Sequence, residues 1–337
     1  MPLALVLVGV LVAVVVMAVG GPGTTGGPQG QVGSAANLEA VLTQAKSLLQ
    51  NAKPKAAERL LRDAAERWPN DQSLHLTWAE ALLGCERYAD AYEQYDRAIS
   101  IGPDRAEYRF AATMAAFKAG LPDRAVDQCE IARSLDRSNP QYPLYLAQIQ
   151  RKLGHTEEAR ANLVIAAKLD PSIAITWGTL AAIALDQNNP GMGLDYIAKA
   201  RKLEPESNVW RVLHAKLLRR DGRPREGADL LLAMAEFERS NDLTVVEELA
   251  NCLGMLQKPG DAAEVYIKAL AAAPDNAALA YQAAVWLDRS EQRSSAMEYA
   301  RRAAMGGCEP AKALLEKLER PAEKSTATAS PDQPPTP

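Results

Sequence analysis

A register of small residues returning every thirty-four positions constrains this chain more than any other feature. Frames set out from Leu38, Gln72, Ala106, Pro140, Ala174, Asn208, Leu243 and Ala277 advance by 34 at every step but one. The exception, from Asn208 to Leu243, is 35. The eighth position of each frame reads Ala45, Ala79, Thr113, Ala147, Ala181, Ala215, Ala250 and Ala284. The twentieth reads Ala57, Ala91, Ala125, Ala159, Gly193, Gly227, Ala262 and Ala296. The twenty-seventh is alanine in every frame but one, from Ala64 through Ala98, Ala132, Ala166, Ala200, Ala269 to Ala303. The misfit is Met234, in the frame with the extra residue, where a slip of one would bring Ala235 into the column. A general richness in alanine could fill one such column, but not three at fixed offsets.

Helix formers dominate the middle of the chain, aromatics are only 5%, and period-two runs of β-branched residues are absent beyond the first 20 residues. The body is therefore expected to be all-α. Two helices per repeat, A and B, would cross closely where the eighth position meets the twentieth, because a larger side chain would hold their axes apart. Bulky residues flank those positions: Trp78, Leu146, Trp177, Leu180 and Leu249 on A, and Leu61, Tyr95, Leu163, Ile197 and Tyr266 on B. Pro69, Pro103, Pro171, Pro205 and Pro274 stand where helix B must stop, and Gly120, Gly154 and Gly222 mark the A–B turn.

These residues resemble the tetratricopeptide-repeat family, whose pattern runs W-x2-L-G…A-x3-F…P. The second frame carries it as Tyr88, Ala91, Tyr95, Ala98 and Pro103, and the fifth supplies Trp177, Leu180 and Ala181. The resemblance implies a right-handed superhelical solenoid of about eight helix-turn-helix repeats. Their bounds would be 38–71, 72–105, 106–139, 140–173, 174–207, 208–242, 243–276 and 277–308. Frames six and eight depart from the pattern: Arg239 and Cys308 replace proline, and Ala300 replaces a bulky residue. Residues 309–320, with Leu314, Leu315 and Leu318 on one face, fit a capping helix over the last repeat.

The ends differ from the repeats. From Leu3 to Val19 no side chain is charged or polar, and seventeen helical residues span about 26 Å, enough to cross a hydrocarbon core. Residues 1–20 are expected to form a single apolar helix that anchors the chain in a membrane. The alternative is a signal sequence cut near Ala18, which would release a soluble secreted or periplasmic module. No lysine or arginine lies nearer than Lys46, so the flanks set no orientation; the habit of short amino-terminal anchors would put the bulk of the chain outside the cytoplasm, in the periplasm. Residues 21–37, GPGTTGGPQGQVGSAAN, read as a flexible glycine-rich linker, and residues 321–337 as a disordered tail.

The resemblance also places positions 2, 5, 9, 12 and 13 of helix A on a concave, partner-binding wall. In frames two to four these give Leu76, Glu80, Leu83, Phe110, Met114, Phe117, Lys118, Leu144, Gln148, Arg151 and Lys152. An apolar strip rimmed by arginine and lysine would suit a helix or extended peptide of another protein with acidic flanks. The other reading of Phe110 and Phe117 is that they pack into neighbouring A helices. A second candidate is a basic patch of Lys216, Arg219 and Arg220 within a run from Arg211 to Arg225, which Glu247 and Glu248 would partly neutralise. The family's carboxylate clamp, lysine at position 5 with asparagine at 9, is missing: Asn251 has Glu247 before it.

Catalysis and cofactors have no foothold. His75, His155 and His214 lie in different frames, and Cys85, Cys129, Cys252 and Cys308 form no pair at metal-ligand spacing. No nucleophile elbow, phosphate loop or paired-carboxylate motif occurs. With 38 basic and 42 acidic residues, nucleic acid is not an expected partner. A non-enzymatic scaffold with no metal, cofactor or small-molecule substrate follows. Its leading role is gathering parts of a cell-envelope assembly; the alternative is a regulatory subunit for an enzyme on another chain.

Overall fold

The computed structural model describes residues 32–320. The apolar stretch 3–19, the expected linker up to residue 31 and the tail from residue 321 lie outside them. The described chain forms two compact units, meeting in sequence at Leu121 and Pro122. Both are all-α, with no strand among the described residues.

The first unit holds α1 (Val32–Gln50), α2 (Pro54–Ala65), α3 (Gln72–Gly84), α4 (Tyr88–Ile101) and α5 (Ala106–Lys118). Helix α1 begins inside the stretch expected to be linker: residues 32–37 are helical, Ala35 and Ala36 being strong helix formers ahead of the amphipathic run. The second unit begins with α6 (Pro122–Leu135), α7 (Gln141–Leu153), α8 (Thr156–Leu169), α9 (Ala174–Asp186) and α10 (Pro190–Leu203). It continues through α11 (Asn208–Arg220), α12 (Pro224–Leu232), α13 (Glu236–Asn241), α14 (Leu243–Met255) and α15 (Pro259–Ala272). It ends with α16 (Ala277–Arg289), α17 (Arg293–Met305) and α18 (Glu309–Glu319). Within each unit every helix packs on its sequence neighbours, and α9, α11 and α14 also touch in succession.

The columns of small residues sit at these contacts. No residue of the eighth column is more than 1% exposed, and the alanines of the twentieth are fully buried. Two frames carry glycine there because space is shorter still. A Cβ on Gly227 would lie 3.1 Å from the Ala215 carbonyl and from the Cys252 sulfur, and one on Gly193 would run into Leu217. Around these seams lie the large buried side chains, Leu61 and Leu74 in the first unit and Leu146, Leu163, Ile183, Ile197, Leu217, Leu231 and Leu249 in the second.

All eight A–B corners use one backbone device. The fifteenth residue of each frame is left-handed: Gly120, Gly154 and Gly222, but also Ala52, Glu86, Asn188, Gln257 and Glu291. The next amide then reaches back to the last turn of helix A, as in Arg87 N–H to the Leu82 carbonyl at 2.9 Å and Asn189 N–H to that of Ala184 at 2.8 Å. Glycine tolerates this conformation without strain; the five other residues hold it against about 1 kcal/mol each.

The sixth frame departs from its neighbours. Its B segment stops at Leu232 and resumes as α13. The expected slip to Ala235 does not occur: Met234 keeps its register and is buried at 5% exposure, while Ala235 faces solvent. The side chain too large for the seam is accommodated by ending the helix, and the extra residue lies in the break. Arg239 caps the exposed end, its Nη1 donating to the carbonyls of Leu232 at 2.6 Å and Met234 at 2.9 Å. At the far end, α18 buries Ala311 and Leu318, and Arg293 donates to the carbonyls of Leu318 and Arg320.

Candidate partner-binding strip on the A helices

Each unit carries its own share of the expected strip residues, the first on α3 and α5. Leu76, Leu83, Met114 and Phe117 are half-buried and Glu80 is exposed. Phe110 is not on offer: at 8% exposure it belongs to the core, which corrects its expected role as an anchor. Glu80 reaches solvent yet is surrounded by protein, and desolvation holds its carboxyl above the ordinary range, with Lys46 pulling the other way. The same carboxylate adds to the burial that pushes the Tyr95 hydroxyl up.

In the second unit Leu144 is also buried, at 5%, whereas Gln148 is half-buried and Arg151 exposed. Beyond α7 the strip takes in α9 and α16, where the sequence suggested no site residue, together with α11 and α14, which carry the basic patch and the glutamates beside it. Helix α9 contributes half-buried Ile175 and Leu185, with Ala182 between them. Helix α11 contributes exposed Val209 and Arg220 and half-buried Lys216; α14 contributes exposed Glu247 and Met255 and half-buried Asn251. Tyr281 and Val285 of α16 are half-buried as well. No carboxylate pairs with Arg151, Lys216 or Arg220 among the described residues.

Arg219 differs from the other patch residues. Its Nε and Nη2 grip both oxygens of Glu248, at 2.6 and 3.2 Å, and that carboxylate is 1% exposed. The paired geometry raises the guanidinium's proton affinity through this hydrogen bond. The expected patch therefore holds two unpaired cations, Lys216 and Arg220, beside one locked arginine. Below it, burial and then Glu248 push the Cys252 thiol up to about 12, which makes it a packing group rather than a nucleophile.

Sequence reasoning missed two seats for tryptophan. Gly178 on α9 receives the Trp210 indole and Gly254 on α14 receives that of Trp286; a Cβ at either glycine would land in the ring. In both cases the tryptophan follows its glycine by thirty-two residues, a spacing readable from the chain once the frames are set. Arg289 covers the outer face of Trp286 at 4.5 Å, and the Trp210 N–H donates to Glu204 at 2.7 Å. These pairs join successive A helices beneath the strip.

The histidines have structural surroundings. His75 is buried, its Nε2 donating to the Pro69 carbonyl at 3.0 Å and its Nδ1 against the Gln94 amide at 2.7 Å. His155 is exposed at the start of α8. His214 accepts from Arg201 at 2.8 Å, and burial, Arg201 and Arg223 depress its pKa to about 4. Among the described residues no cluster of histidine, cysteine or carboxylate side chains could hold a metal, and no helix is long and apolar enough to cross a membrane.

Residues 48–114 match the model of the tetratricopeptide-repeat family. Over 78 residues, 23% of this chain, it is 36% identical to the TPR repeat-containing thioredoxin TTL4 of Arabidopsis thaliana, and the match spans only 11% of that relative. A tetratricopeptide repeat protein from Parabacteroides merdae superposes with a TM-score of 0.56 at 16% identity, over 74% of this chain and 99% of the other. YrrB, a TPR protein described as having an unusual peptide-binding site, gives 0.47 at 17% identity, over 52% of this chain and 90% of the other. The family match thus rests on residues 48–114, and the helix-hairpin fold of the chain is that of the Parabacteroides merdae repeat protein.

Proposed function

We propose that this chain is a non-catalytic scaffold that holds segments of partner proteins along the A-helix strip of its second unit. One observation supports this most. Half-buried Leu185 and exposed Val209 and Met255 stand on the same run of A helices as Arg151, Lys216 and Arg220, cations that no carboxylate of the described chain pairs with. Unpaired cations beside apolar ground favour an extended or helical segment carrying acidic residues, through area burial and charge complementarity together. The deep site that a small substrate needs is not found on this strip, whose floor is filled by Trp210 and Trp286.

The test is site-specific photocrosslinking in cells. A photoreactive residue at Leu185 or Met255 is expected to capture partner proteins, and one at Leu169 or Leu203, exposed on B helices, is not. Equal capture from both faces, or none from the strip, overturns the reading.

The apolar residues 3–19 lead us to place the scaffold beside a membrane, with the repeats on the extracytoplasmic side and a role in assembling an envelope complex. Fractionation decides this. Full-length protein retained in membranes after a high-salt wash supports a tether. Mature protein beginning near Val19 and released by salt identifies a soluble module instead.

A further inference from the structure

The α11–α14 step of the strip carries a more specific inference, which rests on the partner-binding reading above. A guanidinium has five N–H donors. In Arg219 the side-on edge, Nε and Nη2, is held by Glu248, so the end-on edge around Nη1 keeps its hydrogens without a partner among the described residues. The holding carboxylate is 1% exposed, so the arginine is oriented by a group a ligand cannot reach. Its side chain is still 21% exposed. Lys216, one turn back on α11, is half-buried with no carboxylate of its own, and Asn251 on α14 has an amide with no hydrogen bond in the described chain. Arg220 adds a cation at the rim, and Glu247, exposed one turn before Asn251, adds the opposing charge.

We propose that Arg219, Lys216 and Asn251 form a receptor for a single carboxylate side chain, Asp or Glu, of the bound partner segment. Glu248 is the positioning residue: it fixes the donor edge before binding. Preorganisation is the physical advantage, since a free arginine loses rotamer entropy on binding whereas this one has already lost it in folding. Three cations face two carboxylates here, and one of those carboxylates is sealed beneath the surface. Glu247 limits the attraction without closing the site.

If only net charge mattered, Glu248→Gln would remove a negative charge and tighten an acidic ligand. If Glu248 orients Arg219, the same substitution loosens it. The probes are fluorescein-labelled 12-residue Ala/Leu peptides carrying two Glu, two Gln or two Lys, measured by anisotropy with the full-length protein.

Wild type is expected to prefer the Glu peptide over the Gln peptide by about tenfold, as one charge-assisted hydrogen bond supplies. Glu248→Gln and Arg219→Lys should both collapse that ratio towards one while leaving Gln-peptide binding unchanged. Loss of binding to both peptides alike signals structural damage, which circular dichroism would register; Lys216→Gln, on the surface, then serves as the second variant and must also lower the ratio. An equal or higher ratio in a folded Glu248→Gln protein overturns the positioning role, as does Lys216→Gln with an undiminished ratio. Should no peptide of any charge bind, the partner-binding strip itself fails, a different outcome.

Discussion

At the scale of single residues, space rather than propensity decides identity along the seams. Gly254 sits inside helix α14, where alanine would raise helix propensity by about 1 kcal/mol. The Trp286 ring fills the room a methyl would need. Gly254→Ala is therefore expected to destabilise by about 1–2 kcal/mol, the overpacking penalty exceeding the helical gain, as urea denaturation would measure. His214 gives a residue-scale prediction of pH dependence. Its pKa is about 4 in the fold against an ordinary 6.5, so between those values the unfolded chain binds the extra proton. Stability should fall as pH drops from 6.5 towards 4, with Arg201 and Arg223 opposing the charge and Glu226 favouring it. In His214→Gln the melting temperature should change less between pH 7 and 5 than in wild type.

At the scale of elements, the repeat ladder is regular wherever its seam residues are small and breaks where one is not. Met234 ends α12, and Arg239 holds the break by satisfying two carbonyls. Arg239→Ala should cost about 1–2 kcal/mol and speed amide exchange in residues 232–241. The positions of helices were legible because spacing is a property of the backbone: α3, α5, α9, α11, α14 and α16 each begin on the first residue of a frame. The consequence of Met234 was not legible, since a one-residue shift and a helix break satisfy the same spacing. Nor was the fate of the strip. At position 5 of helix A, Phe110, Leu144 and Val212 are buried while Leu76 is half-buried and Glu247 exposed, whereas family pattern would turn that position towards a ligand throughout. Whether a side chain projects or packs depends on the size of its neighbours, which a frame does not record. The Arg219–Glu248 grip was half visible, the sequence placing both charges in adjacent frames without saying that one lies beneath the surface.

At the scale of the whole molecule, the second unit is held mainly by contacts between near neighbours in sequence. Such stacks lose structure locally, because each repeat depends mainly on the one beside it. Ala300→Asp, at a fully buried site in α17, should strip exchange protection from α16, α17 and α18 and leave α7–α10 protected. Uniform loss of protection along residues 122–320 would instead mean a single cooperative core.

The interrupted sixth hairpin sets a rule for anyone cutting or grafting this array. A standard thirty-four-residue module can be exchanged upstream of Leu232 or downstream of Asp242 with its phase intact. A splice between them would shift every later contact by one place, turning α14 by about a hundred degrees and aiming its buried Glu248 away from the arginine that answers it.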